Sequence, residues 1–187
     1  MNYSDLDLIK SLQGGDQQAF ESLVERYQRP LFNFVFKYLR DYHTSEDIAQ
    51  EAFLNIYRTA PKFEPRPGIR VSTWIFKIAY NLSLNEIKRC KRYRIFQDEL
   101  NLSYNEENTS SCQELKDEMN EALAILPENQ RAALMLRVNE EFSYKEISEI
   151  LNISVSATES LIFRARTRLR EYFQKIKTSE VSKTSEV

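Results

Sequence analysis

Apolar side chains recur at steps of three and four residues along most of the chain, which is the spacing of one face of an α-helix. The first such stripe follows Asp16, which we expect to cap the helix. Its apolar positions are Phe20, Leu23, Val24, Tyr27, Leu31, Phe34, Val35 and Tyr38. Pro30 lies within the stripe, and because proline has no amide hydrogen we expect it to kink or split this helix near Arg29.

A second stripe predicts a helix from about Thr44 to Ala60, capped by Thr44 or Ser45 and ended by Pro61. Its buried side would consist of Ala49, Ala52, Phe53, Ile56 and Tyr57. The prolines within residues 61–68 then predict an extended loop.

A third helix is predicted from about Ser72 to Tyr93, and its faces differ in character. The apolar residues that would face inward are Trp74, Ile75, Ile78, Ala79 and Leu82. Another face carries cations and side-chain amides, namely Lys77, Asn81, Asn85, Lys88, Arg89 and Arg92. Such side chains suit contacts with phosphates and base edges, so this face is a candidate nucleic-acid surface.

Residues 97–113 lack this periodicity and are acidic and rich in Asn and Ser, which predicts a flexible linker. Helical spacing resumes at Leu115 and breaks at Pro127, after which "ENQRAALMLRVNEE" begins another helix. The tail 177–187 repeats the sequence "KTSEV", and we expect it to be disordered. The pattern predicts an all-α fold of two small helical domains joined by a flexible acidic linker.

The segment "FSYKEISEILNISVSATESLIFRARTRLR" has the pattern of two short helices joined by a tight turn, a helix-turn-helix. Ser143 and Glu146 match a capping box, which places the first helix over 144–151. Asn152 tolerates the left-handed conformation that such a turn requires.

The second helix of this motif is expected to begin after Ser154, with Ser156 as the alternative cap. Its apolar side would be formed by Val155, Leu161, Ile162, Ala165 and Leu169. The outward candidates are Ser156, Thr158, Glu159, Ser160, Phe163, Arg164 and Arg166. In a helix-turn-helix the start of this helix faces base edges in the major groove. A helical hairpin that packs on another protein is the alternative interpretation.

Charge is distributed unevenly along a chain whose net charge is -2. Residues 66–97 carry a net +7 and residues 164–187 a net +4, while residues 98–121 carry a net -7. Electrostatic attraction acts over about 8–10 Å at physiological salt, so these local patches matter more than the total. An acidic protein can therefore still present two surfaces that attract nucleic acid.

The composition of the 187 residues excludes several classes of protein. No apolar run is long enough for a membrane span, and the polar N-terminus is not a signal peptide, so we expect a cytoplasmic protein. Cys90, Cys112 and His43 are too few for a disulfide framework or a zinc site. No Gly-rich phosphate loop or nucleophile–base pair is evident, so we expect neither a cofactor nor an enzyme.

Five segments, taken in order, resemble the extracytoplasmic-function (ECF, group IV) sigma factors of the sigma-70 superfamily. They are "GGDQQAFESLVERYQRPLFNFVFKYL", "SEDIAQEAFLNIYR", "VSTWIFKIAYNLSLNEIKRCKR", "LPENQRAALMLR" and the helix-turn-helix through "FRARTRLR". The resemblance implies sigma region 2 at 1–96, a linker at 97–113, region 4 at 114–176 and a disordered tail at 177–187. The family's linker threads through the polymerase; a merely solubilising linker is the alternative here.

For the first domain, the resemblance implies contacts with RNA polymerase and with the promoter element near -10. The residues implied to bind core polymerase, through its clamp helices, are Asp47, Gln50, Glu51, Phe53 and Tyr57. Those implied to bind the -10 element are Phe63, Thr73, Lys77, Asn81, Lys88, Arg89 and Arg92. Asn81 and the loop around Phe63 would hold a flipped base of the non-template strand, and we expect Trp74 to belong to the core instead.

For the second domain, the resemblance implies reading of duplex DNA at the -35 element. The implied residues are Ser156, Thr158, Glu159, Ser160, Phe163, Arg164, Arg166 and Arg168. The sequence departs from the family pattern here, because "VSATESL" stands where many relatives have "VGTVKSR". Glu159 and Leu161 replace two usual cations, so the -35 sequence is open and Glu159 is a candidate discriminator. A carboxylate at this place can accept a hydrogen bond from cytosine N4 but repels phosphate.

The function implied by the resemblance is transcription initiation, in which the protein binds core polymerase, recognises a promoter and opens its strands. The implied partners are the clamp helices and flap of core RNA polymerase, promoter DNA that is duplex at -35 and single-stranded at -10, and an anti-sigma factor. No direct insertion into a membrane is expected. A plain regulator that uses only the helix-turn-helix is one alternative, and a protein-binding adaptor is another.

Overall fold

The structure, a computed structural model, describes the backbone of residues 3–99 and 118–184 and the side chains of residues 3–93 and 121–177. Throughout these ranges the regular structure is helical and no strand occurs, which confirms the predicted all-α class. No helix in the described parts combines the length and the apolar character needed to cross a bilayer.

The chain divides into two compact units, Met1–Gln113 and Glu114–Val187. The helical elements of the first unit are α1 (Asp5–Gln13), α2 (Gln17–Leu39), α3 (Tyr42–Thr59), a 3₁₀ turn (Ala60–Lys62) and α4 (Val71–Glu99). Those of the second unit are α5 (Glu118–Ala124), α6 (Glu128–Val138), α7 (Tyr144–Leu151) and α8 (Val155–Thr184).

Buried aromatic rings hold α2 and α4 together in the first unit. The ring of Phe34 packs edge-on against Phe76, with the centroids 5.5 Å apart, and lies nearly parallel to Tyr38 at 6.1 Å. Tyr38 in turn contacts Tyr80, with the ring centroids 5.7 Å apart. Each such pair stabilises the core by about 0.5–1.5 kcal/mol beyond the burial of its surface. These contacts fix which side of α4 faces solvent.

α1 is attached to α2 through the carboxylate of Asp5. This carboxylate accepts hydrogen bonds from the Tyr27 hydroxyl and the Arg26 guanidinium, while Ile9 on the same helix is fully buried. Burial raises the pKa of Tyr27, and the hydrogen bond and negative charge of Asp5 raise it further. The N-terminal helix is therefore part of the core of this unit.

Of the two effects expected of Pro30, a kink or a split of the first long helix, the split does not occur. α2 continues as one helix from Gln17 to Leu39, with Pro30 inside it. Proline removes one backbone hydrogen bond, yet buried residues on both sides of it, including Tyr27 and Leu31, continue one apolar face. Packing of that face outweighs the lost bond.

The predicted caps of the next helix, Thr44 and Ser45, are also wrong. α3 begins at Tyr42, and Asp41 caps it by accepting a hydrogen bond from the Thr44 amide at 2.7 Å. Ser45 is fully buried and its hydroxyl donates to the Asp41 carbonyl oxygen. Three residues that can each cap a helix, Asp41, Thr44 and Ser45, lie within five positions here, so the local pattern alone does not locate the start.

α4 runs beyond the predicted end at Tyr93 and continues to Glu99. Residues 97–99 of the predicted flexible linker are therefore helical, and its residues 100–113 lie outside the described residues. Leu115 likewise falls outside them.

The predicted helix-turn-helix is confirmed in its local detail. The capping box of Ser143 and Glu146 is present, and α7 has the bounds expected from the sequence. Asn152 adopts the left-handed conformation with φ 55°. Ser154, and not Ser156, caps α8, because its hydroxyl accepts a hydrogen bond from the Ala157 amide at 3.1 Å.

α8 packs on α5 and α6 through the buried residues of the second unit. The apolar cluster that includes Ala165 and the half-buried Leu169 of α8 is completed by Leu123, Leu126 and Leu134. α8 extends to Thr184, so the tail that was predicted to be disordered is helical over 177–184. Residues 185–187 lie outside the described residues.

We expect Tyr27→Phe to reduce the loss of stability of the first unit at alkaline pH. The pKa of Tyr27 is higher in the folded than in the unfolded chain, whose tyrosines titrate near pH 10. The folded state therefore keeps a proton that the unfolded state releases. Its contribution is fully present below about pH 10 and is lost as pH rises toward the folded pKa.

Urea unfolding at pH 8 and pH 10.5, followed by the fluorescence of Trp74, the single tryptophan, measures this difference. Tyr93→Phe is the control, since Tyr93 is 61% exposed. Parallel pH profiles for the wild type and Tyr27→Phe would contradict the assignment.

Candidate nucleic-acid interface

The face of α4 that bears cations and amides lies at the surface of the first unit. Asn81, Asn85, Lys88 and Arg92 are exposed, and Lys77 is half-buried. Because the aromatic side of α4 faces the core, these side chains point away from it. The surface that the sequence predicted is therefore present as a continuous exposed face.

Thr73 does not belong to this surface, although it was predicted as a DNA-binding residue. Its side chain is 1% exposed and lies on the buried side of α4 beside Ser72. A contact between Thr73 and a ligand is thus excluded in this conformation. The first three residues of α4 are all buried. A short polar side chain such as that of Thr73 gives no indication of this burial in the sequence.

Arg89 is partly engaged by its own helix. Its Nε and Nη2 atoms donate to the two carboxylate oxygens of Glu86 at 2.8 and 2.7 Å. Hydrogen bonding from Arg89 lowers the pKa of Glu86, and the same contact raises the pKa of Arg89. The carboxylate offsets the charge of Arg89, so we expect this arginine to attract a phosphate less strongly than its exposure suggests.

A small cavity of about 180 Å³ lies at the start of α4, against the loop after the 3₁₀ turn. Its lining combines cations, an acid and rings: Lys62, Phe63, Glu64, Arg66, Ile69, Arg70 and Trp74. The rings of Phe63 and Trp74 touch, with centroids 4.7 Å apart. Trp74, which we expected to belong to the core, is half-buried and also lines the cavity. Rings beside cations are suited to unpaired bases.

Gln13 holds this loop in place and was missed by sequence reasoning. Its side-chain amide donates to the carbonyl oxygens of Ala60 and Phe63, both at 2.9 Å. The last residue of α1 thus fixes a loop that lies about fifty positions later in the chain. No local signal in the sequence indicates this pairing.

α3 presents a second, acidic surface on the same unit. Asp47, Gln50 and Glu51 are all exposed, as their spacing of three and four residues predicts. Leu54 and Tyr57 continue this side of the helix and are 53% and 44% exposed. The sequence did not single out Leu54, although its spacing from Gln50 places it on the same side.

The predicted buried stripe of α3 is only partly correct. Ala49, Ala52 and Ile56 are buried, whereas Phe53 is half-buried and Tyr57 is exposed and packs against Phe20 at 5.1 Å. An open groove of about 440 Å³ runs between α2 and α3. It is lined by Val24, Gln28, Arg29, Phe32, Tyr42, Glu46, Ala49, Gln50 and Phe53. The groove places apolar surface beside the acids and amides of α3.

On α8, the predicted burial of Val155 and exposure of Thr158 are both wrong, and the two residues have the opposite environments. Val155 is 42% exposed, whereas Thr158 is fully buried and its hydroxyl donates to the Ser154 carbonyl oxygen at 3.1 Å. Thr158, Ile162 and Ala165 follow one another at steps of four and three and form the inner face. Thr158 is therefore excluded as a DNA contact in this conformation.

The remaining predicted residues of α8 do lie at or near the surface. Ser156, Glu159, Phe163, Arg164, Arg166 and Arg168 are exposed, and Ser160 is half-buried. Phe163 is 71% exposed, an unusual state for a ring of this size. Arg164 donates from Nε to the Ser160 carbonyl oxygen at 3.3 Å, and the residue is exposed. The arrangement combines a ring, hydroxyls and cations on one helix.

Comparison with known proteins identifies two family matches in this chain. Residues 23–93 match Sigma-70 region 2, and residues 116–169 match Sigma-70, region 4. The ECF RNA polymerase sigma factor SigW of Bacillus subtilis (strain 168) is 31% identical over 176 residues, which cover 87% of this chain and 93% of that protein. The ECF RNA polymerase sigma-E factor of Escherichia coli (strain K12) is 32% identical, with coverages of 87% and 91%.

Solved structures share the fold. CnrH in complex with the cytosolic domain of CnrY gives a TM-score of 0.68 at 22% identity and covers 91% of this chain and 97% of that chain. The sigma factor RpoE in complex with the anti-sigma factor NepR from Bartonella quintana gives 0.66 at 23% identity, with coverages of 83% and 96%. At this level of identity the likeness concerns the fold alone.

We expect Gln13→Ala to loosen the loop without unfolding the helices. Two hydrogen bonds to backbone carbonyls are lost, which lowers the free energy of unfolding by about 1–3 kcal/mol. Amide hydrogen exchange at Phe63 should become faster, and exchange within the aromatic core of α2 should not change. Gln17→Ala, at an exposed glutamine, is the control. Unaltered exchange in the loop would show that Gln13 does not hold it.

We expect Glu86→Gln to strengthen binding of single-stranded DNA, because it releases the Arg89 guanidinium for a phosphate. The salt dependence of binding should steepen by up to about 0.7 in a plot of log K against log salt. The same substitution in an Arg89→Ala chain is the matched control. An equal gain without Arg89 would mean that only net charge matters at this position.

Proposed function

Because the chain belongs to the ECF RNA polymerase sigma factors of the sigma-70 family, we propose that it binds core RNA polymerase, directs it to promoters and promotes strand opening. The observation that carries this proposal is similarity over nearly the whole length of ECF sigma factors, at 31% identity to one that the chain covers to 93%. We assign it to group IV of that family. It acts in the cytoplasm and has no chemistry of its own.

We propose the exposed side of α3 as the surface that binds the clamp helices of core polymerase. Asp47 and Glu51 supply negative charge and Gln50 supplies a donor and an acceptor, which suits a partner rich in cations and amides. The exposed Leu54 and the adjoining groove, which includes Phe53, supply apolar surface that a docking helix can bury.

We propose that α4 and the Phe63 loop bind the single-stranded -10 element. Lys88 and Arg92 track the phosphates, while Asn81 and the cavity beside Phe63 receive a base that has left the stack. Lys77 and Arg89 add charge on the same face. Binding of unpaired bases offsets the loss of stacking, which is about 1.4 kcal/mol per base-pair step.

We propose that α8 reads the -35 element in the major groove. Residues near its start, Ser156, Glu159 and Ser160, face base edges together with Phe163, and the later arginines Arg164, Arg166 and Arg168 contact phosphates. The flap of the polymerase holds this unit at its site.

The low net charge of the protein is compatible with this role. Each DNA-binding surface acts only while polymerase holds both units over one promoter, so a high effective concentration replaces high affinity. Acidic segments elsewhere in the chain reduce binding to DNA without polymerase. We also propose an anti-sigma factor as a partner, because two related folds were solved in complexes with the cytosolic domain of CnrY and with the anti-sigma factor NepR.

Transcription in vitro by core polymerase, with and without this protein, on pooled genomic fragments of its source tests the proposal. Start sites that require the protein would support it and reveal the promoter sequence. The absence of start sites, together with failure to bind core polymerase in a pull-down, would overturn it and favour a plain DNA-binding regulator or an adaptor.

We expect Asp47→Arg combined with Glu51→Arg to weaken binding to core polymerase at least about tenfold while leaving the fold intact. Reversal of two exposed charges produces repulsion in place of complementarity. The matched control is Glu21→Arg with Glu25→Arg, which has the same spacing and charge change on the exposed side of α2. Equal affinities for the wild type and the Asp47/Glu51 variant, measured by fluorescence anisotropy, would exclude this surface.

A further inference from the structure

Glu159 is the one acid among the exposed residues that α8 presents near its start. It is the fifth residue of the helix, and its side chain is exposed beside Ser160 and Phe163 in a shallow depression. The residues three and four positions away, which neighbour it on the helix surface, carry no charge: Val155, Ser156, Ile162 and Phe163. None of these four neighbours compensates the carboxylate, although Arg164, five positions on, lines the same depression.

A carboxylate has few favourable places on DNA. Beside a phosphate it is repelled, and the guanine edge in the major groove presents only acceptors. Two bases present a donor there, adenine through N6 and cytosine through N4. On adenine the donor stands next to the N7 acceptor, which repels a second carboxylate oxygen. On cytosine it stands next to the apolar C5–H edge, so cytosine is the better partner.

Phe163 strengthens the same choice. It lies one turn after Glu159 on the same side of the helix, and its ring is 71% exposed. An apolar side chain such as phenylalanine contacts the C5 methyl group of thymine in the major groove, and the C5–H edge of cytosine occupies the same place. Thymine itself presents the O4 acceptor, which repels the carboxylate. Glu159 and Phe163 together thus present an acceptor and an apolar surface, which is complementary to the donor and the C5 edge of cytosine.

We propose that Glu159 selects a C·G pair within the -35 element by accepting a hydrogen bond from cytosine N4. This inference rests on the proposed function and names a specificity-determining residue for it. The promoters that the protein uses then carry a cytosine at one position of the -35 element, opposite the second turn of α8. Relatives with a cation at this position would not select cytosine at this base pair.

The test uses complete holoenzyme on a promoter library with a randomised -35 element. The wild type should prefer cytosine at one position by about fivefold or more. Glu159→Gln should move the preference at that position to adenine, because a side-chain amide pairs with adenine N6 and N7. Preferences at the other positions should stay as they are. Glu171→Gln, the same change farther along α8, is the matched control and should behave as the wild type.

Three outcomes would overturn the inference. The wild type could show no preference for cytosine, or Glu159→Gln could leave the preference unaltered. Glu159→Gln could also raise transcription equally from all -35 variants, which would place the carboxylate near a phosphate. In each case specific start sites and binding to core polymerase would persist, so the proposed function would stand. Absence of both from the wild type would overturn the proposed function and, with it, this assignment.

Discussion

The packing of α4 against α2 through buried aromatic rings determines where the surfaces of the first unit lie. Phe76 and Tyr80 point toward Phe34 and Tyr38, and a helix turns by about 100° per residue. Holding these two positions inward therefore directs Asn81 and its neighbours outward. A displacement of α4 that put Lys77 and Asn81 in the places of Phe76 and Tyr80 would bury a cation and an amide in the core. The candidate nucleic-acid surface is thus a consequence of core packing.

In the second unit, core packing likewise determines which side of a helix faces solvent, but the buried side chains are smaller. Ile162 and Ala165 are buried, and Thr158 joins them because its hydroxyl is satisfied by a carbonyl oxygen of the preceding turn. The orientation of α8 about its axis is fixed by this inner face. Glu159 and Phe163 then lie outside the core and are exposed. Exposed residues of α8 can therefore be exchanged without disturbing its inner face.

The sequence revealed features that depend on neighbouring residues and missed those that depend on distant ones. The bounds of α7 and the turn at Asn152 follow from a capping box and a residue that tolerates positive φ, both local signals. The continuity of α2 through Pro30 depends on buried contacts along the whole helix. Thr158 was predicted to face outward because its side chain is polar. Its burial depends on a hydrogen bond within the helix. The groove between α2 and α3 requires two helices at once and has no linear pattern.

Because the Gln13 amide orders the Phe63 loop, the entropic cost of ordering that loop is incurred during folding and not when a ligand binds. By bonding to two carbonyl oxygens of the loop, it restricts that segment while the chain folds. Ordering a flexible residue costs about 1–2 kcal/mol, and a loop that is already restricted does not incur that cost again when a ligand arrives. The site beside Phe63 is therefore preorganised. Under the proposed role of this site, more of the interaction energy there remains available for holding a base outside the duplex.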